Sequence, residues 1–393
     1  MINFFRRLIK PRYPTLNRLV IKADNLIANF NYLKSLQPTA EIFPVLKSNA
    51  YGHGLKEVCR ILNRTSAVMV VVDSYPEAQI AYRYFRGRVL ILGEMPLKAY
   101  HYCRRKKTEF VVYNEATLKY LSRYGQQAKI HLFVNSGMNR EGIKDLPTFI
   151  VNNRKYLNRV DVVGLCSHLA SADEDSVLNQ DQEKRFARAL DTLRSEGFFP
   201  RWVHLGNSAA IFSLNNQNQT LTAFRPGLAF YGYNPFLSEQ GNVESGWREG
   251  GDDVQEHLLP ALEIYSQLVS LQDLRFGEGV SYNETYRADH DTTIGVIPFG
   301  YFEGLDRRLS NQAKFLVGSS RERFLAPIAG RVCMNLTCLD LGRQEAKLGD
   351  AVQIVSSDPQ APNSVANFSH LIGTIPYEFL VKLQANIRRE IVN

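Results

Sequence analysis

A chain of 393 residues exceeds a usual single domain, so two domains, one of them large, are expected. Its content of 45% hydrophobic and 22% charged residues is ordinary for a globular chain able to bury a core, and no run reaches the roughly 18 to 20 apolar residues of a membrane helix. The formal charge of +8 is scattered, with only short dense runs at Arg104–Lys107 and Arg388–Arg389; this excludes a nucleic-acid interface in favour of a solvated basic surface, and accommodates a small anionic ligand.

The first residues, MINFFRRLIKPRYP, hold an apolar stretch interrupted by Arg6 and Arg7, too short for a signal-peptide core. Residues 1–23 read as an N-terminal arm that packs on its own protein through Phe4, Phe5, Leu8 and Ile9. From residue 24, apolar or β-branched runs at 42–47, 67–73, 88–93, 109–113, 129–135, 160–167, 201–206 and 222–231 alternate with stretches of helical period. Helical examples are 114–127 and 181–197, the second closed by Gly197 where a C-cap belongs. Eight strands with crossover helices predict a TIM-like (β/α)8 barrel over 24–250, with an open doubly wound sheet as the competitor. SEQGNVESGWREGGDD (238–253) reads as a surface loop or domain joint. Beyond it, ALEIYSQLVSLQDL, TTIGVIPFG, KFLVGS, RFLAPIAG and VCMNLTCLDL are β-like, whereas NSVANFSHLIG and YEFLVKLQANIRREI look helical; residues 251–393 are read as a second, mostly β domain. The five cysteines (Cys59, Cys103, Cys166, Cys333, Cys338) form neither a C-x-x-C pair nor a zinc-like cluster, so no metal site is expected and the cytoplasm is the natural compartment.

The chemistry starts in EIFPVLKSNAYGHGL, which sets Lys47 at the C-terminal end of the first barrel strand, where reactive groups of such barrels gather. An amine held against apolar walls has its ammonium disfavoured and becomes available as a base or a carbonyl-trapping group. Tyr51, His53 and two glycines follow it. After the fifth strand NSGMNREG offers Arg140, and at the sixth SHLASAD offers His168 and Asp173. At the seventh, HLGNSAA presents Asn207, Ser208 and backbone N–H groups suited to a phosphate, and at the eighth RPGLAFYG adds Arg225 and the close-approach Gly227. Taken singly, each has a bland reading: a satisfied structural histidine, an arginine capping a strand. Their joint placement fits a phosphorylated carbonyl cofactor.

The chain resembles the alanine racemase family through KSNAYGHG, SGMNREG, HLGNSAA, RPGLAFYG, GVSYNETY, GYFEGLDRRLSN, GRVCMN and TIPYE, which occur in the family's order over nearly its whole length. The resemblance implies a barrel and a β domain, pyridoxal 5'-phosphate as cofactor, and a homodimer with shared active sites acting on a small amino acid. It implies that Lys47 carries the cofactor and is one catalytic base, with Tyr282 from the other subunit as the opposite base. Tyr51, Asn207, Ser208, Gly227, Leu228 and Tyr377 would hold the phosphate, His168 would lie against the pyridine ring, and Arg225, backed by His204, would face the pyridine nitrogen. Arg140 and the N–H of Met334 would receive the substrate carboxylate, and Asp173, Tyr301, Arg307 and Arg331 would line the access channel. D-alanine, for peptidoglycan if the enzyme is biosynthetic, is the implied product.

These residue types suit the reaction. Inverting an α-carbon removes a proton from one face and returns one to the other, so two bases must flank it, here an amine and a phenol. Because a phenol is a poor base at its free pKa of roughly 10, cationic charge must favour its phenolate. An arginine at the pyridine nitrogen keeps that nitrogen unprotonated and disfavours transamination. The chain also departs from the family pattern. Phe133 stands where many members carry a carbamylated lysine; Asn135 and Asn335 stand where acidic residues are common, and resemble broad-specificity relatives; Glu303 and Leu305 replace an Asp and a Tyr. Serine or broader racemisation is therefore the alternative activity. A non-catalytic cofactor-binding regulator would lack the second domain and the opposing tyrosine, and a barrel decarboxylase would want an acidic residue at the pyridine nitrogen.

Overall fold

The structure, a computed structural model, describes residues 14–174, 176–214, 220–236, 254–318 and 322–393. The contacts expected of Phe4, Phe5, Leu8 and Ile9, and the joint at 238–253, lie outside the described residues.

Six strands, Met69–Val72, Arg88–Ile91, Thr108–Val112, Lys129–Phe133, Asp161–Cys166 and Trp202–His204, pair parallel in chain order. MVVV and TEFVV are buried along their whole length. Such unbroken buried runs are what a parallel sheet covered on both faces requires. Closure comes from two short strands. Glu41–Ile42 pairs parallel with Ala223–Phe224; Val45 bridges Val71, and Leu46 N–H donates to Val71 O at 2.7 Å. On the other side Thr222 N–H donates to Val203 O and Arg225 N–H to Gly206 O, each at 2.9 Å. The ladder returns to its start, so the sheet is a barrel and not an open, doubly wound one. The first and eighth strands are shorter than the 42–47 and 222–231 read from sequence. Pro44 and Pro226 supply no N–H to the ladder, and the residues beyond them curl into Lys47–Tyr51 and the 3-10 turn Leu228–Tyr231.

The second domain is built on a six-stranded sheet in the order Arg323–Pro327, Lys314–Gly318, Ala351–Val355, Leu262–Gln267, Arg18–Lys22, Arg388–Val392. Residues 18–22, grouped in sequence with an N-terminal arm, are thus an interior strand of this sheet, antiparallel to Leu262–Gln267 and parallel to Arg388–Val392. The C-terminal reading also changes: helix Pro376–Val381 stops early, and the stretch expected to continue it becomes the strand Arg388–Val392, because its backbone groups find partners along Arg18–Lys22. A three-stranded sheet (Ser270–Leu274, Thr292–Ile297, Thr337–Asp340) and the small hairpin Gly279–Val280/Tyr286–Arg287 complete the domain. Asn29, buried on helix Ala23–Leu36, ties the two domains: its amide donates to Phe230 O and Leu259 O and accepts from Leu259 N–H.

Candidate active site

A cavity of about 490 Å³, within the range of small-molecule sites, opens at the C-terminal ends of the barrel strands. Lys47 enters it at the start of an unusual turn. Ser48, Asn49, Ala50 and Tyr51 have φ of 53°, 55°, 54° and 50°, a full left-handed turn without a glycine. Each such residue costs about 1–2 kcal/mol, so the surroundings must over-determine the turn. They do: Ser48 N–H donates to Glu77 Oε1 (2.7 Å), Ala50 N–H to Leu46 O (2.8 Å) and Leu55 N–H to Asn49 Oδ1 (3.0 Å), while Gly52 O accepts from Arg389 Nε and Nη2 (3.0 and 2.7 Å). Gly52 itself is backed by Leu380 O, 2.1 Å from where a Cβ would lie. Lys47 and Tyr51, the two ends of the turn, both line the cavity.

At one end of the cavity the groups suit a phosphate. Asn207 caps the helix Ser208–Ser213, its Oδ1 accepting from Ala210 N–H at 3.1 Å. Ser208 Oγ accepts from Gly227 N–H (2.9 Å) and Ala229 N–H (3.2 Å), which fills both lone pairs and leaves its O–H to donate into the cavity. The Gly227 N–H, expected to meet the phosphate itself, is thus given to Ser208. Leu228 opens the 3-10 turn, so its N–H has no acceptor within that turn. Gly227 must lack a side chain because a Cβ would sit 2.5 Å from Tyr51 Oη. Tyr377, from the second domain, packs its ring 5.8 Å from that of Tyr51. Burial, and then Asp73 for Tyr51, or Tyr51 and Asp173 for Tyr377, push both phenols far up, so both remain protonated donors.

Arg225 lies deeper and is 5% exposed. Its Nη1 donates to His204 Nδ1 and to His204 O (2.8 Å); its Nη2 donates to Ser167 O (2.5 Å) and Leu205 O (3.3 Å). All four terminal hydrogens are committed, and Nε–H is the donor left over. His168 lines the same cavity, and burial, followed by Arg225, Arg140 and Lys47, pushes its imidazole down to about 3, so it is neutral.

The structure therefore brings Lys47, Tyr51, Arg140, His168, Asn207, Ser208, Arg225, Gly227 and Tyr377 to one cavity, with His204 and Leu228 immediately behind. Other expected residues stand apart. Tyr282 is 66% exposed on a loop held by positive φ at Ser281, Asn283 and Glu284, and Met334 is 55% exposed. Tyr301, Arg307, Arg331 and Met334 lie in the same part of the second domain: Tyr301 N–H donates to Cys333 O, Ser281 Oγ to Arg331 O, and Ser310 Oγ donates to Arg307 O while accepting from Val332 N–H. None of these five lines the cavity of its own chain, and Asp173 is exposed near Tyr377.

Two sequence departures turn out to be coupled, since Asn335 Nδ2 donates to Glu303 Oε1 at 3.0 Å. An acidic residue at 335 would set two carboxylates together. Glu141 was not singled out from sequence, yet it lines the cavity and its Oε1 accepts from Arg140 Nε and Nη2 at 3.2 and 2.7 Å, bracing the arginine where Phe133 cannot. Beside Arg140 it reads as an ordinary surface pair, and only the cavity distinguishes it. Glu109 and His131, behind His204, were also missed; their signal was a polar residue beyond the strand-opening Thr108 and Lys129 in the runs TEFVV and KIHLF.

Two family models cover the chain: "Alanine racemase, N-terminal domain" over residues 21–235 and "Alanine racemase, C-terminal domain" over 261–391. An alanine racemase of Lactobacillus acidophilus is 32% identical over 371 residues, 91% of this chain and 93% of its own. The crystal structure of the Bacillus anthracis alanine racemase with bound L-Ala-P superposes with a TM-score of 0.83 at 25% identity, covering 98% of this chain and 96% of its own. The fold is also that of the Bartonella henselae alanine racemase with covalently bound pyridoxal phosphate: TM-score 0.80, 21% identity, 96% of this chain and 100% of its own.

Proposed function

The chain belongs to the alanine racemase family, and on that premise we propose the part each residue of its cavity plays. The activity is the pyridoxal-phosphate-dependent interconversion of L-alanine and D-alanine. The observation that carries the assignment of residues is the convergence on one cavity of an amine, a hydroxyl with its proton left over, and an arginine with only Nε–H free. The cofactor, when bound, supplies an electron sink that acidifies the substrate α-hydrogen. Lys47 holds the cofactor and its Nζ moves the proton at one face of the α-carbon. The Ser208 hydroxyl, the Leu228 N–H and the phenols of Tyr51 and Tyr377 bind the phosphate, with Asn207 and Gly227 shaping the cradle. Arg225 offers Nε–H to the ring nitrogen and does not give up its proton, and neutral His168 packs against the ring. Arg140, held by Glu141, orients the substrate carboxylate.

The second base, for the opposite face, we assign to the partner, since Tyr51 and Tyr377 of the chain's own cavity stay protonated. Tyr282 of the partner subunit supplies it in a homodimer, and Met334 of the partner subunit brings its N–H to the carboxylate. Support comes from the exposure of Tyr282, Met334, Tyr301 and Leu336 on one side of the second domain, an arrangement that a second copy would cover. Asp173, Tyr301, Arg307 and Arg331 line the access channel in that dimer. No helix among the described residues is long and apolar enough to cross a membrane; action in the cytoplasm and supply of D-alanine to peptidoglycan complete the proposal.

Racemisation by the purified, cofactor-loaded protein across a panel of L-amino acids, read by chiral product analysis, tests the substrate. D-alanine should dominate; faster turnover of serine or of bulkier substrates overturns the alanine assignment. For the dimer, mixing inactive Lys47→Ala with inactive Tyr282→Phe protein should restore activity, because a mixed dimer holds one intact site. No recovery under demonstrated subunit exchange would exclude shared sites.

A further inference from the structure

Behind Arg225 a line of buried polar side chains crosses the barrel. Arg225 Nη1 meets His204 Nδ1, His204 Nε2 lies 2.7 Å from His131 Nδ1, His131 Nε2 lies 2.7 Å from Glu109 Oε2, and Glu109 Oε1 pairs with Arg88. Glu109, His131 and His204 are fully buried. These residues come from four strands, at the first position of Arg88–Ile91, the second of Thr108–Val112, the third of Lys129–Phe133 and the last of Trp202–His204. The line therefore climbs from the N-terminal to the C-terminal ends of the strands. Barrel interiors are ordinarily filled by branched apolar side chains, and a buried charge is costly unless paired. The neighbouring strand makes room for it: a Cβ at Gly164 would lie 2.1 Å from His131 Nδ1, and nothing else about that position demands glycine.

We propose that Glu109 and His131 are positioning residues which, through His204, dictate which hydrogens Arg225 presents to the cofactor. The inference rests on the reading that Arg225 faces the ring nitrogen. Its logic is a count of donors. A carboxylate only accepts and a guanidinium only donates, so the two ends of the line fix everything between them. Glu109 accepts from His131 Nε2–H, which leaves His131 Nδ1 bare to accept from His204 Nε2–H. His204 Nδ1 is then bare and accepts from Arg225. A cationic His131 would put a proton on Nδ1, drive one onto His204 Nδ1, and set two donors face to face at Arg225. Burial raises the Glu109 carboxyl, but the hydrogen bond from His131 and the Arg88 guanidinium outweigh it and hold the group ionised; burial and then Arg225 push His204 down, as a neutral ring requires. Among the described residues no carboxylate touches Arg225, so Glu109 is the anion that the relay connects to its charge.

Replacing Glu109 by Gln separates this from a merely structural role. An amide cannot accept from both Arg88 and His131, so its NH2 turned to His131 reverses the whole row and disturbs Arg225. In the loaded, folded Glu109→Gln protein, 15N spectra of labelled histidines should show both tautomers changed, and transamination relative to racemisation should rise ~10-fold or more. Parent tautomers with the parent ratio in that variant overturn the proposal. Should Glu109→Gln fail to fold, the unsubstituted enzyme decides: both imidazoles must be neutral Nε2–H tautomers, and an Nδ1–H or cationic ring at either position overturns the relay. If the parent shows these tautomers but no racemisation, the relay stands and the reading of the cavity falls.

Discussion

Ser48, Asn49, Ala50 and Tyr51 show how much strain a single reactive side chain requires around it. With an ordinary right-handed turn after Lys47, Tyr51 would leave the phosphate end of the cavity. Ser48 is exposed, so its cost is backbone and not packing. Ser48→Gly should stay within about 1 kcal/mol of the parent, whereas Ser48→Val should lose about 1–2 kcal/mol, a difference that thermal denaturation of the two variants resolves. At Lys47 itself, borohydride reduction of the loaded protein followed by peptide mapping should place the label on that residue, and a label on another lysine ends the assignment. Arg225→Glu should cost ~3 kcal/mol of transition-state stabilisation, over a hundredfold in racemisation, with a matching rise in transamination products. Cofactor occupancy and melting temperature distinguish that outcome from misfolding, and an unchanged rate in a folded, loaded variant would remove Arg225 from the cofactor.

At the scale of elements, the strand Arg18–Lys22 has the largest consequence for its length. Leu19 and Ile21 are fully buried, and its two neighbours, Leu262–Gln267 and Arg388–Val392, do not pair with each other. Deleting residues 1–22 should therefore unfold the second domain and, with it, remove Tyr377 from the cavity. Limited proteolysis should then cut the C-terminal half, and cofactor binding should weaken; a truncated protein as resistant as the parent would show that the sheet re-closes. Helix Pro376–Val381 transmits this dependence, since Leu380 O packs on Gly52 of the left-handed turn and Tyr377 packs on Tyr51. One element thus couples the second sheet to the conformation of the residues after Lys47.

For the whole molecule, buried neutral histidines set the response to acid. His168 is pushed from its ordinary value near 6.5 to about 3, by burial first and by Arg225, Arg140 and Lys47 after it; His53 is pushed to about 4, again chiefly by burial. Both bind a proton more readily when unfolded. Their contribution is complete above about pH 6.5 and is lost as the pH falls through 6.5 toward 3. Ionised Glu109, Glu263 and Asp340, all held below the usual carboxylate range against the effect of burial, add loss of the same sign at lower pH. Urea midpoints should therefore drop steadily between pH 7 and 4, and a midpoint that rises over that interval would contradict the burial of the neutral imidazoles.

Much of this molecule was written locally. The periodicity of apolar runs pointed to a barrel, with an open doubly wound sheet as its competitor, followed by a β domain, and the residues that end those runs, Lys47, Arg140, His168, Ser208 and Arg225, pointed to a phosphorylated carbonyl cofactor, because strand ends and small polar motifs are short-range features of a chain. Long-range pairing decided the rest. Nothing within RLVIK announces that it lies between two strands from the other end of the sequence, and RREIV is a strand only because RLVIK is beside it. Glu109 and His131 are polar letters in mostly apolar strands until three-dimensional closure places them in line with Arg225, and Gly164 has no meaning until His131 needs its space. Such contacts join residues tens or hundreds of positions apart, whose proximity depends on the whole barrel closing, so only the tertiary structure could assemble them.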